Sequence, residues 1–270
     1  MRLLLGFLTV ASAFAADLSK DVTFRATFDG GTDATVAQGD KKIYSAPSYK
    51  EQANAQPGLN GTDVAIAKGA GRKGDALRFP KKNERAVFYK AAKNVHFDPK
   101  GWTGTISFWL SLDPETDLEP GYCDPIQVTD KAYNDSAIWT DFTKDDKPRH
   151  FRLGVFGAVK SWNPNNVAPD KNPDFLNRLV VMKKTPFAKG KWTHIAVVHE
   201  ALGSGNGKAR LYVNGQLQGE AANIKEAFEW DLAKGAIRLG LSYVGLMDDV
   251  TIFQRALTAS EVAQIARGQF

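Results

Sequence analysis

Residues 192–198, Trp-Thr-His-Ile-Ala-Val-Val, lead through a Gly/Ser turn into residues 209–215, Ala-Arg-Leu-Tyr-Val-Asn-Gly. These two stretches decide the class of fold. Both are rich in β-branched and aromatic residues, which suit a pleated surface buried on one side. The second ends in Asn214-Gly215, and both residue types tolerate the positive φ of a two-residue type I′ turn. That turn predicts a third strand at Leu217–Glu220. Two consecutive hairpins imply an antiparallel sheet.

Working outward, Thr103–Leu112 has the clearest alternation in the chain. Ile106, Phe108 and Leu110 face one way, while Ser107, Trp109 and Ser111 face the other. Near the start, Val22, Phe24, Ala26 and Phe28 alternate with Thr23, Arg25 and Thr27 before the turn Asp29-Gly30-Gly31. Further strands are expected at Gly74–Phe79, Ala86–Tyr89, His150–Gly157, Arg178–Lys183, Ala236–Leu241 and Leu246–Phe253. Residues 32–73, 113–149 and 158–177 lack the pattern and read as long loops. One helix closes the chain. Thr258 and Glu261 form a capping box, Leu257 and Val262 a hydrophobic staple, and Gly268 a stop. The expected fold is all-β: a two-sheet antiparallel jelly-roll sandwich with one short C-terminal helix. No repeat or linker divides it, so residues 16–270 read as a single domain.

Composition narrows the class further. With 43% apolar residues over 270 positions, the chain can bury a core without staples. Residues 1–15 read as a signal peptide: Arg2, the apolar run Leu3–Val10, then the small-x-small site Ala13-Phe14-Ala15. Cleavage before Ala16 would give a secreted or periplasmic/extracellular protein. The apolar run is too short to span a bilayer, and no later stretch qualifies. Cys123 is the only cysteine, so an intramolecular disulfide is impossible and an inert thiol is expected. The net charge of +5 is spread over doublets such as Lys41-Lys42, Lys81-Lys82 and Lys183-Lys184, which argues against nucleic acid as a partner.

Trp192–Val198, Ala209–Gly215, Ile237–Gly240, Gly245–Phe253 and Arg255–Thr258 follow one another in a specific order, after Phe28-Asp29-Gly30, Gly74–Phe79 and Thr105–Trp109. This pattern resembles the laminin G-like, concanavalin A-like jelly rolls of many secreted bacterial proteins. The resemblance implies two packed sheets, often a carbohydrate- or protein-binding module. The same fold also carries hydrolases and lyases, so function must come from the site. The resemblance further implies a structural calcium beside the first and last strands, at the matching positions Asp29 and Asp248. Asp248 shares a strand face with Val250 and Ile252, and a lone carboxylate buried there needs a partner. Backbone amides or Arg255 could serve instead.

Two kinds of site are conceivable. Glu115-Thr116-Asp117-Leu118-Glu119 looks like the E-x-D-x-E signature of laminarinase-like hydrolases, whose carboxylates line one strand face. Pro114 and Pro120 bracket the run and disfavour a strand, so a solvated acidic loop is expected. His194 and His199 lie five apart on a strand, face opposite ways and cannot share a metal. Binding has better support. The long loops carry Tyr133, Trp139 and Trp162, with Asn163 and Asn165 beside the last. Stacking faces together with amides suit a sugar. The expectation is a non-catalytic module for a glycan or an extracellular protein surface, with a polysaccharide-active enzyme or an envelope adhesion component as alternatives.

Overall fold

Strand Trp102–Ser111 pairs along one side with Thr193–Leu202, setting Phe108 opposite Ile195 and Ile106 opposite Val197. Along its other side it pairs with Gly245–Phe253. These three strands centre the first sheet of the computed structural model, which describes residues 16–270. The expected signal peptide lies outside the described residues. Gly207–Val213 and Gln216–Ile224 extend this sheet on one side, and Val22–Ala26 and Val36–Ala37 extend it on the other. Ala76–Phe79 and Ala65–Ala67 add to the far part of the Gly245–Phe253 strand. Asn214 and Gly215 have φ of 50° and 79°, the geometry a type I′ turn requires.

The second sheet runs Leu179–Met182, Phe151–Phe156, Ala137–Phe142, Cys123–Thr129, Ala236–Leu241, Ala86–Lys90, Ile43–Ala46 and Gln56–Pro57, each antiparallel to its neighbour. Two of its central strands fall within residues 113–149, which the sequence reading took for loop. Pro125 obscures them. Thr140 faces Ile126 and Phe142 faces Cys123, so Asp124 and Pro125 together oppose the single residue Asp141. Such a bulge is a place where a strand accepts proline. Residues 32–73 likewise contribute four short strands. Residues 158–177 fold as helical turns, Val159–Trp162, Pro169–Lys171 and Pro173–Leu176.

Between the sheets, Ile106, Phe108, Ile195 and Val197 meet Ile126, Val128, Leu153, Val155, Ile237 and Leu239. The first sheet is covered on its outer face as well. Helix Ala259–Ala266 lays Val262 and Ile265 over Ala196, Val198, Tyr212 and Phe253, and Leu257 joins them. Its capping box forms as the sequence predicts: Thr258 Oγ1 accepts from the Glu261 amide at 3.3 Å, and Glu261 Oε2 accepts from the Thr258 amide at 2.8 Å. With that face closed, the outer face of the second sheet is left to carry the cavity described next. Among the described residues no helix is long and apolar enough to cross a membrane.

Candidate functional site

The period-2 geometry of a strand turns alternate residues to opposite faces. With Ile126, Val128, Ile138, Leu153, Ile237 and Leu239 in the core, Gln127, Trp139, Asp141, Arg152 and Arg238 are turned outward. Register sets Gly154, Trp139, Gln127 and Arg238 in one row across four strands. Gly154 is required there: a Cβ would sit 2.2 Å from the Trp139 indole, so only glycine lets that ring lie across its neighbour. Trp139 also stacks on Phe156, with centroids 5.8 Å apart and an interplanar angle of 13°, and its indole N–H donates to the Tyr133 carbonyl at 2.7 Å. The row floors a cavity of about 490 Å³ walled by Tyr122, Tyr133 and Phe175. That volume falls in the range of small-ligand sites.

The charges of the cavity are ordered. Arg152 forks onto Asp141, with Nε 2.8 Å from Oδ1 and Nη2 on Oδ2. Its guanidinium lies 5.0 Å from the Tyr122 ring centroid and 5.6 Å from that of Trp139, so it also contributes cation–π contacts. The bulge brings Asp124 beside this pair. Desolvation first, then the charge of Asp141, holds the Asp124 carboxyl well above the usual carboxylate range. Asp141 is also raised by burial, against the pull of Arg152. Gln127 links the row: its Oε1 accepts from Arg238 Nη1 at 2.7 Å and its Nε2 donates to Asp124 Oδ2 at 3.3 Å. Arg238 is 6% exposed and lies 4.7 Å from the Tyr49 ring centroid.

Of the expected ligand residues, Trp139 and Tyr133 line this cavity and the other three do not. Trp162 is buried against Phe156 and Phe175, its N–H donating to the Asn134 carbonyl at 3.1 Å. Asn163 is buried too and ties its own loop, accepting from the Val167 amide at 2.9 Å and donating to the Val167 carbonyl at 3.0 Å. Asn165 is exposed away from the cavity lining. Trp162 and Asn163, expected beside the ligand, are packed inside instead, because the helical turns of 158–177 fold this indole inward. Sequence reading overlooked Asp124, Gln127, Asp141, Arg152 and Arg238. The signal was present as charged residues inside otherwise apolar strands, such as Arg238 in Ala236–Leu241.

The acidic run is a turn, as expected of a loop. Its carboxylates serve separate backbone amides: Glu115 that of Arg149 at 2.6 Å, Asp117 that of Asp113 at 2.8 Å, Glu119 that of Lys82 at 2.8 Å. They do not converge on one face. Cys123 is buried, and burial pushes its thiol up to about 11, so it is a poor nucleophile.

Asp29 and Asp248 lie near the Gly74 turn. Asp29 Oδ1 accepts from the Asp75 amide at 2.8 Å, and a Cβ on Gly74 would fall 2.0 Å from that oxygen. Asp248 is buried and accepts from the amides of Arg72 and Asp249, each at 2.7 Å. Arg255 pairs instead with Asp21 and Glu261. Burial, then the charges of Asp249 and Asp29, push the Asp248 carboxyl up to about 7. The neighbouring Asp249 pairs with Arg25 and Arg72, and the described residues contain no cluster of three or more acidic, histidine or cysteine ligands. Carbonyls and water would have to complete a calcium shell.

Two packed antiparallel sheets define a jelly-roll β-sandwich, with the cavity on the outer face of one of them. The family model described as the concanavalin A-like lectin/glucanases superfamily matches residues 88–263, more than half the chain, and the protein belongs to that superfamily. No curated protein matches the sequence. Among solved structures, domain 4 of AbnA, a GH43 extracellular arabinanase from Geobacillus stearothermophilus in complex with arabinotriose, is similar with a TM-score of 0.57. Identity is 16%, over 91% of this chain and 98% of that one. The botulinum neurotoxin serotype G binding domain is similar with a TM-score of 0.56 at 13% identity, over 92% of this chain and 51% of that one. The receptor binding domain of botulinum neurotoxin D gives 0.59 at 11% identity, over 94% and 54%. The chain thus spans about half the length of the toxin structures. At these identities the likeness is one of fold.

Proposed function

We propose that the protein is an exported, extracellular carbohydrate-binding module, a single domain beginning at Ala16, whose ligand occupies the cavity over Trp139. One observation carries this reading. Over a floor formed by the buried Trp139, the cavity joins the exposed aromatic faces of Tyr122 and Tyr133 to polar groups held by the sheet, Gln127 and Arg238. Sugar rings need both: an apolar face to cover their C–H surface and fixed partners for their hydroxyls. The arabinotriose bound to the similar arabinanase domain supports the same class of ligand. A glycan array on the mature protein tests it, repeated with Tyr122→Ala. Tyr122 is 48% exposed, so its loss should leave the fold intact. Removing one stacking wall is expected to weaken binding about 10-fold, roughly 1.4 kcal/mol. Unchanged affinity would place the ligand elsewhere.

One observation favours an enzymatic second reading, a hydrolase or lyase in the same cavity. Two carboxyls share it: Asp141 is forked by Arg152, and Asp124 beside it has no direct cationic partner among the described residues. Release of new reducing ends from a glycan that binds on the array, abolished in Asp124→Asn, would move the assignment to catalysis.

A structural calcium held by Asp29 and Asp248 is proposed alongside. Its role would be to neutralise the buried Asp248 carboxylate and tie the Gly74 turn to the last strand. Calcium is expected to raise the melting temperature and chelation to lower it, with both responses lost in Asp248→Ala. If neither protein responds, Asp248 acts only through its two amide bonds.

A further inference from the structure

Arg238 is a buried cation without an acidic partner among the described residues. Its Nη1 is taken by Gln127 at 2.7 Å and its Nε reaches Gln52 Oε1 at 3.4 Å, both neutral amides. Burial of an unpaired charge is costly, and burial accordingly lowers the pKa of this guanidinium. The residue stands where two cavities meet, since it lines both the 490 Å³ cavity over Trp139 and an adjoining one of about 600 Å³. The second cavity is basic: Lys50, Lys90, Lys131 and Lys234 line it with Arg238, against the single acid Asp130. Three of these lysines also reach acids, Lys90 at Asp40, Lys131 at Asp130 and Asp135, Lys234 at Asp231, at separations from 3.1 to 3.9 Å. The pairs to Asp40 and Asp231 are solvent-accessible, and such pairs are weak and can be exchanged for a ligand's charge. In the first cavity Arg152 is matched by Asp141, and the neutral Gln127 stands between Arg238 and Asp124, so Arg238 is the guanidinium without a direct carboxylate partner there.

We propose that the groove formed by these two cavities binds a glycan bearing uronic acid residues, with Arg238 receiving a sugar carboxylate between the aromatic walls and the lysine-lined extension. The planar fork of a guanidinium matches a carboxylate, and Tyr49 beneath it fixes its plane. Further carboxylates along the chain would meet the lysines. This assignment rests on the carbohydrate reading of the Trp139 cavity and adds the class of sugar.

The test titrates the mature protein at low salt with tetramers of galacturonate, mannuronate, guluronate and glucuronate, each beside its carboxyl-reduced counterpart. At least one uronate tetramer should bind 10-fold or more tightly than its reduced form, and Arg238→Gln should remove that preference. If Arg238→Gln does not fold, the comparison of acidic with reduced ligand on the wild type still decides. Reduced and acidic tetramers binding alike, with the loss in Tyr122→Ala intact, would overturn the uronate assignment and leave the carbohydrate reading standing. Absence of binding by every sugar would overturn both. Equal affinity for oligothymidylate would show a general polyanion groove and overturn the assignment as well.

Discussion

Lowering the pH from 7 to 4.5 is expected to remove about 5 kcal/mol of stability through two histidines, His194 and His199. Both are completely buried in the Thr193–Leu202 strand. His199 packs against Trp102 with centroids 4.5 Å apart, and neither of its ring nitrogens has a hydrogen-bond partner among the described residues. His194 holds Ser107 through Nε2 at 2.9 Å and leaves Nδ1 unpaired. Desolvation lowers each from 6.5 to about 3, with the Arg72 charge adding to the effect at His194. A histidine whose folded pKa is depressed contributes stability that is present above the unfolded value and is lost as pH falls below it. From 6.5 down to 4.5 each histidine thus costs about 2.5 kcal/mol at 1.36 kcal/mol per pH unit.

The buried carboxylates act in the opposite sense. Asp248, raised to about 7, contributes stability at low pH that is lost as pH rises through that value. The wild-type profile therefore mixes both contributions, and the difference between two proteins isolates one histidine. His199→Phe keeps a ring against Trp102 and removes the site of protonation. Denaturant unfolding should find it about 2.5 kcal/mol less sensitive to this change in pH than the wild type. Parallel pH profiles for the two proteins would show that His199 is not held neutral by burial.

Trp162→Ala is expected to cost about 3–5 kcal/mol of stability, the usual range for emptying a buried aromatic site. The indole is 5% exposed, packs on Phe156 and Phe175, and carries the Arg178 guanidinium over its ring. Ligand affinity, measured where the variant remains folded, should stay close to that of the wild type. This is the opposite of Tyr122→Ala, which should spare stability and lose affinity. A Trp162→Ala protein of normal melting temperature that fails to bind sugar would return Trp162 itself to the ligand site.

These contrasts show which parts of the molecule were legible in the sequence. Strands with plain alternation, such as Thr103–Leu112, and the Asn214-Gly215 turn were readable because local chemistry alone specifies them. So was the Thr258–Glu261 cap. The strands at Cys123–Thr129 and Ala137–Phe142 were hidden by Pro125, whose place in a bulge depends on a partner strand fifteen or so residues away. The site was less legible for the same reason. Trp139, Gln127 and Arg238 become neighbours only through register, and register is a property of pairing between distant segments. Trp162 looked like a binding residue because its asparagine-rich surroundings are polar in sequence. In the folded chain Asn163 spends its amide on Val167, and the indole turns inward.

The place of the sugar decides most directly between these assignments. A crystal structure of the protein with its tightest-binding oligosaccharide is expected to show a ring against Tyr122 or Tyr133 above the Trp139 floor and a polar contact to Arg238 or Gln127. A sugar seated instead beside the stacked Phe97–Trp230 pair, in the open cavity they line, would contradict the assignment of the Trp139 cavity as the binding site.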